Sequence, residues 1–242
     1  MKVLERIREP EKMDDPDIAE PRLLEALDSI ALVNKLTRVK DYLWFPIFNL
    51  SGKLGRKPLR ILDIATGSGD IPIALQRRAD KLGLEMEFAG CDLSQRSIDY
   101  AKRKADKEKT TVRFFQINAV EDALPEGYDV IMSSQFMHHL DPPEIISVVG
   151  KMKNAASKLV LIYDLRRSYF NLGVVWLAAR LVSSSDVVHF DGPASVHAAF
   201  TRAEWQEMAQ KAGLGGCEID CCYPCHLLLQ WKHKHPESVQ LS

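Results

Sequence analysis

The chain has 242 residues, 46% of them hydrophobic, which is enough for one full-sized α/β core. Its 32 Lys and Arg against 33 Asp and Glu leave a net charge of -1, which argues against nucleic acid or an anionic bilayer as a partner. The opening MKVLERIREPEKMDDPD is charged throughout and lacks the apolar run and small-residue cleavage site of a secretory signal, so a cytoplasmic location is expected.

In chain order, the first predicted element is a helix over 21–36. There Leu23, Leu24, Leu27, Ile30, Ala31 and Leu36 recur at three- and four-residue spacings and make one apolar face. An aromatic and apolar patch covers 42–50, and a turn-rich basic connector follows over 51–58. Residues 1–58 are thus expected to form a helical cap ahead of the core. From Leu59 onward, the apolar runs LRILDIA, MEFAGCDL, VRFFQI, YDVIMSS and KLVLIYD alternate with stretches long enough for crossover helices. Right-handed crossovers then favour an α/β fold, a doubly wound and mostly parallel sheet of seven strands: five parallel ones, then a pair at 217–222 and 226–231. The core is expected over 59–164.

The segment 165–204 contains FNLGVVWLAARLV, too short and too interrupted by Arg180 to span a bilayer, and it is expected to be a helical lid between the fifth and sixth strands. A last helix and the strand pair fill 205–242, with a frayed tail beyond Lys232. Four cysteines crowd into this end: Cys217, Cys221, Cys222 and Cys225. Cys222-x-x-Cys225 beside His226 lacks the second separated pair of a zinc site, so no metal is expected and the thiols are read as small hydrophobes of late strands.

The sharpest motif is Asp63-Ile-Ala65-Thr66-Gly67-Ser68-Gly69-Asp70, an apolar strand entering a glycine turn before a helix over 71–79. Glycines let the backbone pass close to a ligand, and the helix start offers unpaired N–H donors. The position three beyond Gly69 is Pro72, so the third glycine of a dinucleotide fingerprint is missing, and no Gly-Lys-Ser/Thr ending marks a P-loop. Asp92 ends the second apolar run, 29 residues after Asp63, where a carboxylate can accept both hydroxyl protons of a ribose. Ser94 is expected to cap the next helix, over 97–104, leaving Asp92 for the ligand.

On these residues the segment 59–164 resembles the class I, Rossmann-like S-adenosylmethionine-dependent methyltransferases, and within them the branch around the ubiquinone and menaquinone biosynthesis methyltransferases. The family's first motif carries three alternate glycines, and here Ala65 stands for the first of them. The resemblance implies S-adenosyl-L-methionine as cofactor, with S-adenosyl-L-homocysteine as product, held by Asp63, Ala65, Thr66, Gly67, Ser68, Gly69, Asp92, Leu93, Asn118, Ala119, Ser134 and Gln135. Asn118 replaces the family's frequent Asp, and its amide oxygen can accept from the adenine amino group. Ser133-Ser134-Gln135-Phe136-Met137-His138-His139-Leu140 is similar to the segment that closes over the methionine part.

Methyl transfer needs an acceptor held in line, and for a phenol with a pKa of about 10 it also needs a base, for which His138 and His139 are the candidates. The lid adds Asp164, Arg166, Arg167, His189, Asp191 and His197 as polar candidates, with Tyr169, Phe170, Trp176 and Phe200 as walls of a pocket for a small hydrophobic acceptor. Three readings stay open: O-methylation of a phenolic or polyketide-type hydroxyl, quinone-type C-methylation, and a non-catalytic protein that binds the cofactor. Nucleic acid and an integral membrane span are not expected, and a homodimer is left open.

Overall fold

A computed structural model describes residues 4–15, 17–52 and 58–233. Most of the basic connector, and all but His233 of the tail that the sequence suggests is frayed, lie outside the described residues. The core strands are β1 Leu59–Ile64, β2 Met86–Asp92, β3 Arg113–Gln116, β4 Tyr128–Ser134, β5 Ala156–Leu165, β6 Glu218–Cys222 and β7 His226–Lys232. They form one seven-stranded sheet in the order β3-β2-β1-β4-β5-β7-β6. The first five pair in parallel, and β7 runs antiparallel to both β5 and β6. This is the doubly wound, mostly parallel architecture with its reversal of strand order between β1 and β4, the place where such sheets open a crevice.

Burial on both faces explains the near-continuous apolar runs. Along β4, Val130 and Met132 enter one core while Ile131 enters the other, and Leu159, Leu161 and Tyr163 of β5 alternate in the same way with Val160 and Ile162. One face is covered by α2 Val39–Ser51, α3 Asp70–Lys81 and α4 Gln95–Lys107, the other by α5 Pro142–Ala155 and α8 Arg202–Lys211. Both helices of the second face start on a reciprocal cap, Asp141 with Glu144 and Thr201 with Glu204. The aromatic patch is α2, a helix that accommodates Pro46 in its interior.

A third cluster forms over the carboxyl ends of the strands. Leu23, Ala26 and Leu27 of α1 Glu20–Leu36 pack against Ala179 of α6 Tyr169–Val182 and against Val187 and Val188 of α7 Asp186–Ala198. The charged N-terminal segment crosses this region too: Ile7 N–H donates to the His197 carbonyl at 3.2 Å, and Arg167 Nε donates to the Leu4 carbonyl at 2.7 Å.

Candidate active site

The glycine turn after β1 sets the geometry. Ala65, Gly67 and Gly69 all take positive φ, at 53°, 55° and 67°, so Ala65 adopts the left-handed conformation that suits glycine. Thr66 is fastened by its hydroxyl, which donates to Asp63 Oδ2 at 2.7 Å. Asp63 is 1% exposed and lies beneath the turn. A Cβ on Gly69 would stand 2.6 Å from the Phe114 ring, whereas one on Gly67 would meet only Leu27 Cδ2 at 3.7 Å. Gly69 is therefore fixed by packing, while Gly67 leaves room in front of the turn.

Burial lifts the Asp63 carboxyl to about 8; the Thr66 hydrogen bond opposes this, and the charges of Asp70 and Asp92 add to it. The folded chain then keeps a proton that an unfolded aspartate has lost, so this group makes stability fall as pH rises from about 4 to about 8. Asp63→Asn is expected to remove that slope. The difference in urea-unfolding free energy between variant and parent should move in the variant's favour by up to roughly 1.4 kcal/mol per pH unit in this window; a difference independent of pH refutes the assignment.

Asp92 ends β2 and lines a cavity of about 790 Å³ that opens at the carboxyl ends of the strands. Its oxygens accept from Gly67 N–H and Ser94 N–H, both at 2.9 Å, while Ser94 Oγ caps α4 by accepting from Ser97 N–H. A carboxylate offers about four lone-pair directions, so roughly two remain for a ligand. Ala65, Thr66, Gly67, Ser68, Leu93, Asn118, Ala119, Ser134 and Gln135 line the same cavity; Asp63 and Gly69 sit behind it. Asn118 departs from expectation. Its Oδ1 accepts from Val120 N–H at 3.0 Å and Glu121 N–H at 3.4 Å, so the oxygen expected to face adenine serves its own loop.

Sequence reasoning missed Asn34 and Asp70. Gln135 Nε2 donates to Asn34 Oδ1 at 2.9 Å, Asn34 Nδ2 stands 3.4 Å from Asp70 Oδ1, and Ser68 Oγ donates to the same oxygen at 3.2 Å. A signal existed for Asn34, since it is seven residues after Leu27 on the buried face of α1, where a polar side chain needs a partner.

The histidine pair occupies the helical turn Met137–His139 after β4. His138 is 3% exposed, with Nδ1 2.6 Å from Asp164 Oδ1 and Nε2 3.6 Å from Glu11 Oε1. Burial disfavours its charge, but Asp164 and Glu11 outweigh burial and hold the imidazole near 10. With Nδ1 engaged by Asp164, His138 is not a base open to an acceptor. His139 is more open, with Nδ1 3.1 Å from Asp14 Oδ2 and Nε2 3.9 Å from Glu11 Oε2. Glu11 also accepts from the Ser195 hydroxyl. No sequence signal marked Glu11 or Asp14, because they belong to a charged run brought over the site only by the tertiary fold.

The acceptor-side candidates are rearranged. Among the ten residues expected from the lid, only Asp191 lines the cavity. Asp164 is buried behind His138, and Arg167 is tied to Leu4, Ala199 and Glu204. Arg166 Nη1 reaches Cys221 Sγ at 3.5 Å, and His197 lies outside the lining. Tyr169 and Trp176 are 55% and 48% exposed, since their seven-residue separation puts them on the outer face of α6. Val175 and Ala179, with Leu165, Val174, Ala178 and Val188, make the apolar wall instead. His226 joins this wall with both ring nitrogens unpartnered, and burial pulls it down to about 4, so it is a neutral imidazole. Cys222 and Cys225 pack into cores, and burial pushes their thiols to about 12 and about 11.

The donor set fits an adenosyl sulfonium. Its sugar hydroxyls match the free lone pairs of Asp92, and its positive charges match a lining that carries Asp70, Asp92 and Glu11. Comparison with known proteins agrees. Residues 61–158 match a methyltransferase-domain family model. Demethylmenaquinone methyltransferase of Deinococcus radiodurans is 28% identical over 111 residues, which are 45% of this chain and 44% of that protein, so the alignment spans less than half of either. A structure from Nostoc punctiforme assigned as an O-methyltransferase superposes with TM-score 0.60 and 18% identity over 86% of this chain and 60% of that one. An O-methyltransferase from neocarzinostatin biosynthesis, in complex with S-adenosyl-L-homocysteine and 1,4-dihydroxy-2-naphthoic acid, gives 0.51 and 18% over 71% and 48%. No helix among the described residues is long and apolar enough to cross a membrane. Residues 61–158 thus match a methyltransferase domain, and the crevice they share with the flanking helices suits S-adenosylmethionine, with sequence likeness to the menaquinone-type branch.

Proposed function

We propose that the protein methylates a small hydrophobic acceptor at a phenolic or polyketide-type hydroxyl. The supporting observation is the division of one cavity: Asp92, Asp70 and Asn34 supply polar partners, Leu165, Val174, Val175, Ala178 and Val188 supply an apolar wall, and the Glu11–His138–His139 cluster lines the same space. In this reading Asp92 holds the ribose, while Asp70, Asn34 and Gln135 orient the amino-acid end. S-adenosylmethionine, when bound, supplies the methyl group, and its sulfur keeps the electron pair of the broken bond. The apolar wall orients the acceptor, and His139 meets the acceptor hydroxyl and its proton. His138, locked between Asp164 and Glu11, positions His139, whose ring centroid lies 4.3 Å away.

His139→Ala is expected to lower kcat by about a hundred- to ten-thousandfold, the usual range for a proton-handling side chain, and to leave S-adenosylhomocysteine affinity within about threefold. Unchanged turnover removes His139 from the chemistry. The function itself is tested by S-adenosylhomocysteine titration and an acceptor screen with isotopically labelled methyl donor; binding without any labelled product would leave only the non-catalytic reading. The menaquinone-type sequence relative favours C-methylation of a quinone ring as the second reading. Mass and NMR analysis of the product separates O- from C-methylation.

A further inference from the structure

We propose that Glu11, His138 and His139 bind one divalent first-row transition cation of the zinc class, with an open coordination position facing the cavity. This inference rests on the methyl-transfer reading and revises one role within it: the ion, held in part through His139 Nε2, takes the place of that imidazole as the group that activates the acceptor hydroxyl.

The three residues place one donor atom each within 4.8 Å of the others, and all three line the cavity. The Glu11 carboxylate faces both imidazoles with one oxygen each, Oε1 at 3.6 Å from His138 Nε2 and Oε2 at 3.9 Å from His139 Nε2. Ligand atoms about 2.0–2.2 Å from a tetrahedral ion stand roughly 3.3–3.6 Å apart, so each oxygen-to-nitrogen gap is close to an edge of such a site. Both gaps are too wide for direct hydrogen bonds. The two nitrogens of one ring differ: His138 Nδ1 closes to 2.6 Å on Asp164, while its Nε2 stays a full ångström farther from Glu11, a second buried carboxylate.

Each donor also has an outer partner that fixes its orientation. His138 is backed by Asp164, His139 by Asp14 at 3.1 Å, and Glu11 by the Ser195 hydroxyl. Histidines that ligate metals characteristically present one nitrogen to the ion and the other to a carboxylate. The local charge favours a cation as well. Glu11, Asp14 and Asp164 lie against the two rings, whereas the nearby Arg6 and Arg8 are engaged by Asp141 and by the carbonyls of residues 138–140. Two imidazoles and one carboxylate suit zinc or its neighbours better than magnesium, which prefers an oxygen shell. An acceptor hydroxyl in the open position would lose its proton to water at the exposed Asp14 edge, because a bound cation stabilises the oxyanion.

The test uses the full chain stripped with a chelator and titrated with Zn²⁺ by calorimetry and with Co²⁺ by visible absorption. One ion per chain is expected, with a micromolar or tighter Kd and cobalt bands of low coordination number. Glu11→Gln and His139→Ala should each weaken Zn²⁺ at least tenfold, and Asp14→Asn about tenfold through the outer partner. S-adenosylhomocysteine affinity, measured in parallel, reports the fold and the cofactor crevice. Absence of saturable Zn²⁺ uptake in protein that binds S-adenosylhomocysteine overturns the site, and so does uptake that all three variants leave unchanged. Loss of S-adenosylhomocysteine binding by the parent chain overturns the methyl-transfer reading instead.

Discussion

Asp92→Asn is expected to weaken S-adenosylhomocysteine binding by a factor of about one hundred to ten thousand. Two charge-assisted hydrogen bonds to ribose hydroxyls contribute about 1.5–3 kcal/mol each, and every 1.4 kcal/mol is tenfold in affinity. The carboxylate cannot swing away to avoid the ligand, because Gly67 N–H and Ser94 N–H each hold one of its oxygens at 2.9 Å. The same contacts mean that the replacing amide must turn its NH2 toward one backbone donor, so Asp92→Ala, which leaves both backbone N–H groups to solvent, is measured beside it. Calorimetric titration of both, with cooperative thermal unfolding to show that they fold, checks the expectation. An affinity within threefold of the parent in both variants would remove Asp92 from the cofactor site.

Gly69→Ala should cost about 3 kcal/mol or more of stability, the sum of two strains. An L-residue at φ 67° pays about 1–2 kcal/mol. The new methyl would also approach Phe114 to 2.6 Å and Ala101 Cβ to 3.0 Å, and overpacking of this kind typically costs about 1–3 kcal/mol. Gly67→Ala provides the control. Its φ of 55° brings the same backbone penalty, but its methyl meets only Leu27 at an ordinary 3.7 Å, so it should lose less stability and more cofactor affinity. Equal urea midpoints for the two variants would show that Phe114 does not set the packing of the turn.

The pair of histidines shows how a local motif divides its work. Adjacent residues in one helical turn have different surroundings, since the His138 side chain is 3% exposed between two carboxylates and that of His139 is 23% exposed beside Asp14. In the proposed reading the first positions the second, which is the more open of the two toward the cavity. Their neighbours decide this, not their order in the chain.

The order of the elements was legible from residues alone, because period-two burial on two faces forces short apolar runs and crossovers force helical lengths between them. The predicted strands match β1 to β7 within a few residues, and Ser94 caps α4 as its position before the helix implied. The glycine turn and Asp92 were equally readable, since local backbone geometry and a strand-end position are properties of contiguous sequence. The acceptor side was not. Tyr169 and Trp176 attracted attention by residue type, yet the packing of α6 against α1 and α7 turned them outward and gave the wall to Val175 and Ala179. Glu11, Asp14 and Asp164 meet the histidines across separations of more than twenty residues in the chain, and Asn118 turns its oxygen inward to its own loop. Contacts of that kind depend on which helices close over the sheet, and side-chain burial and long-range charge pairing are settled only when the chain is folded.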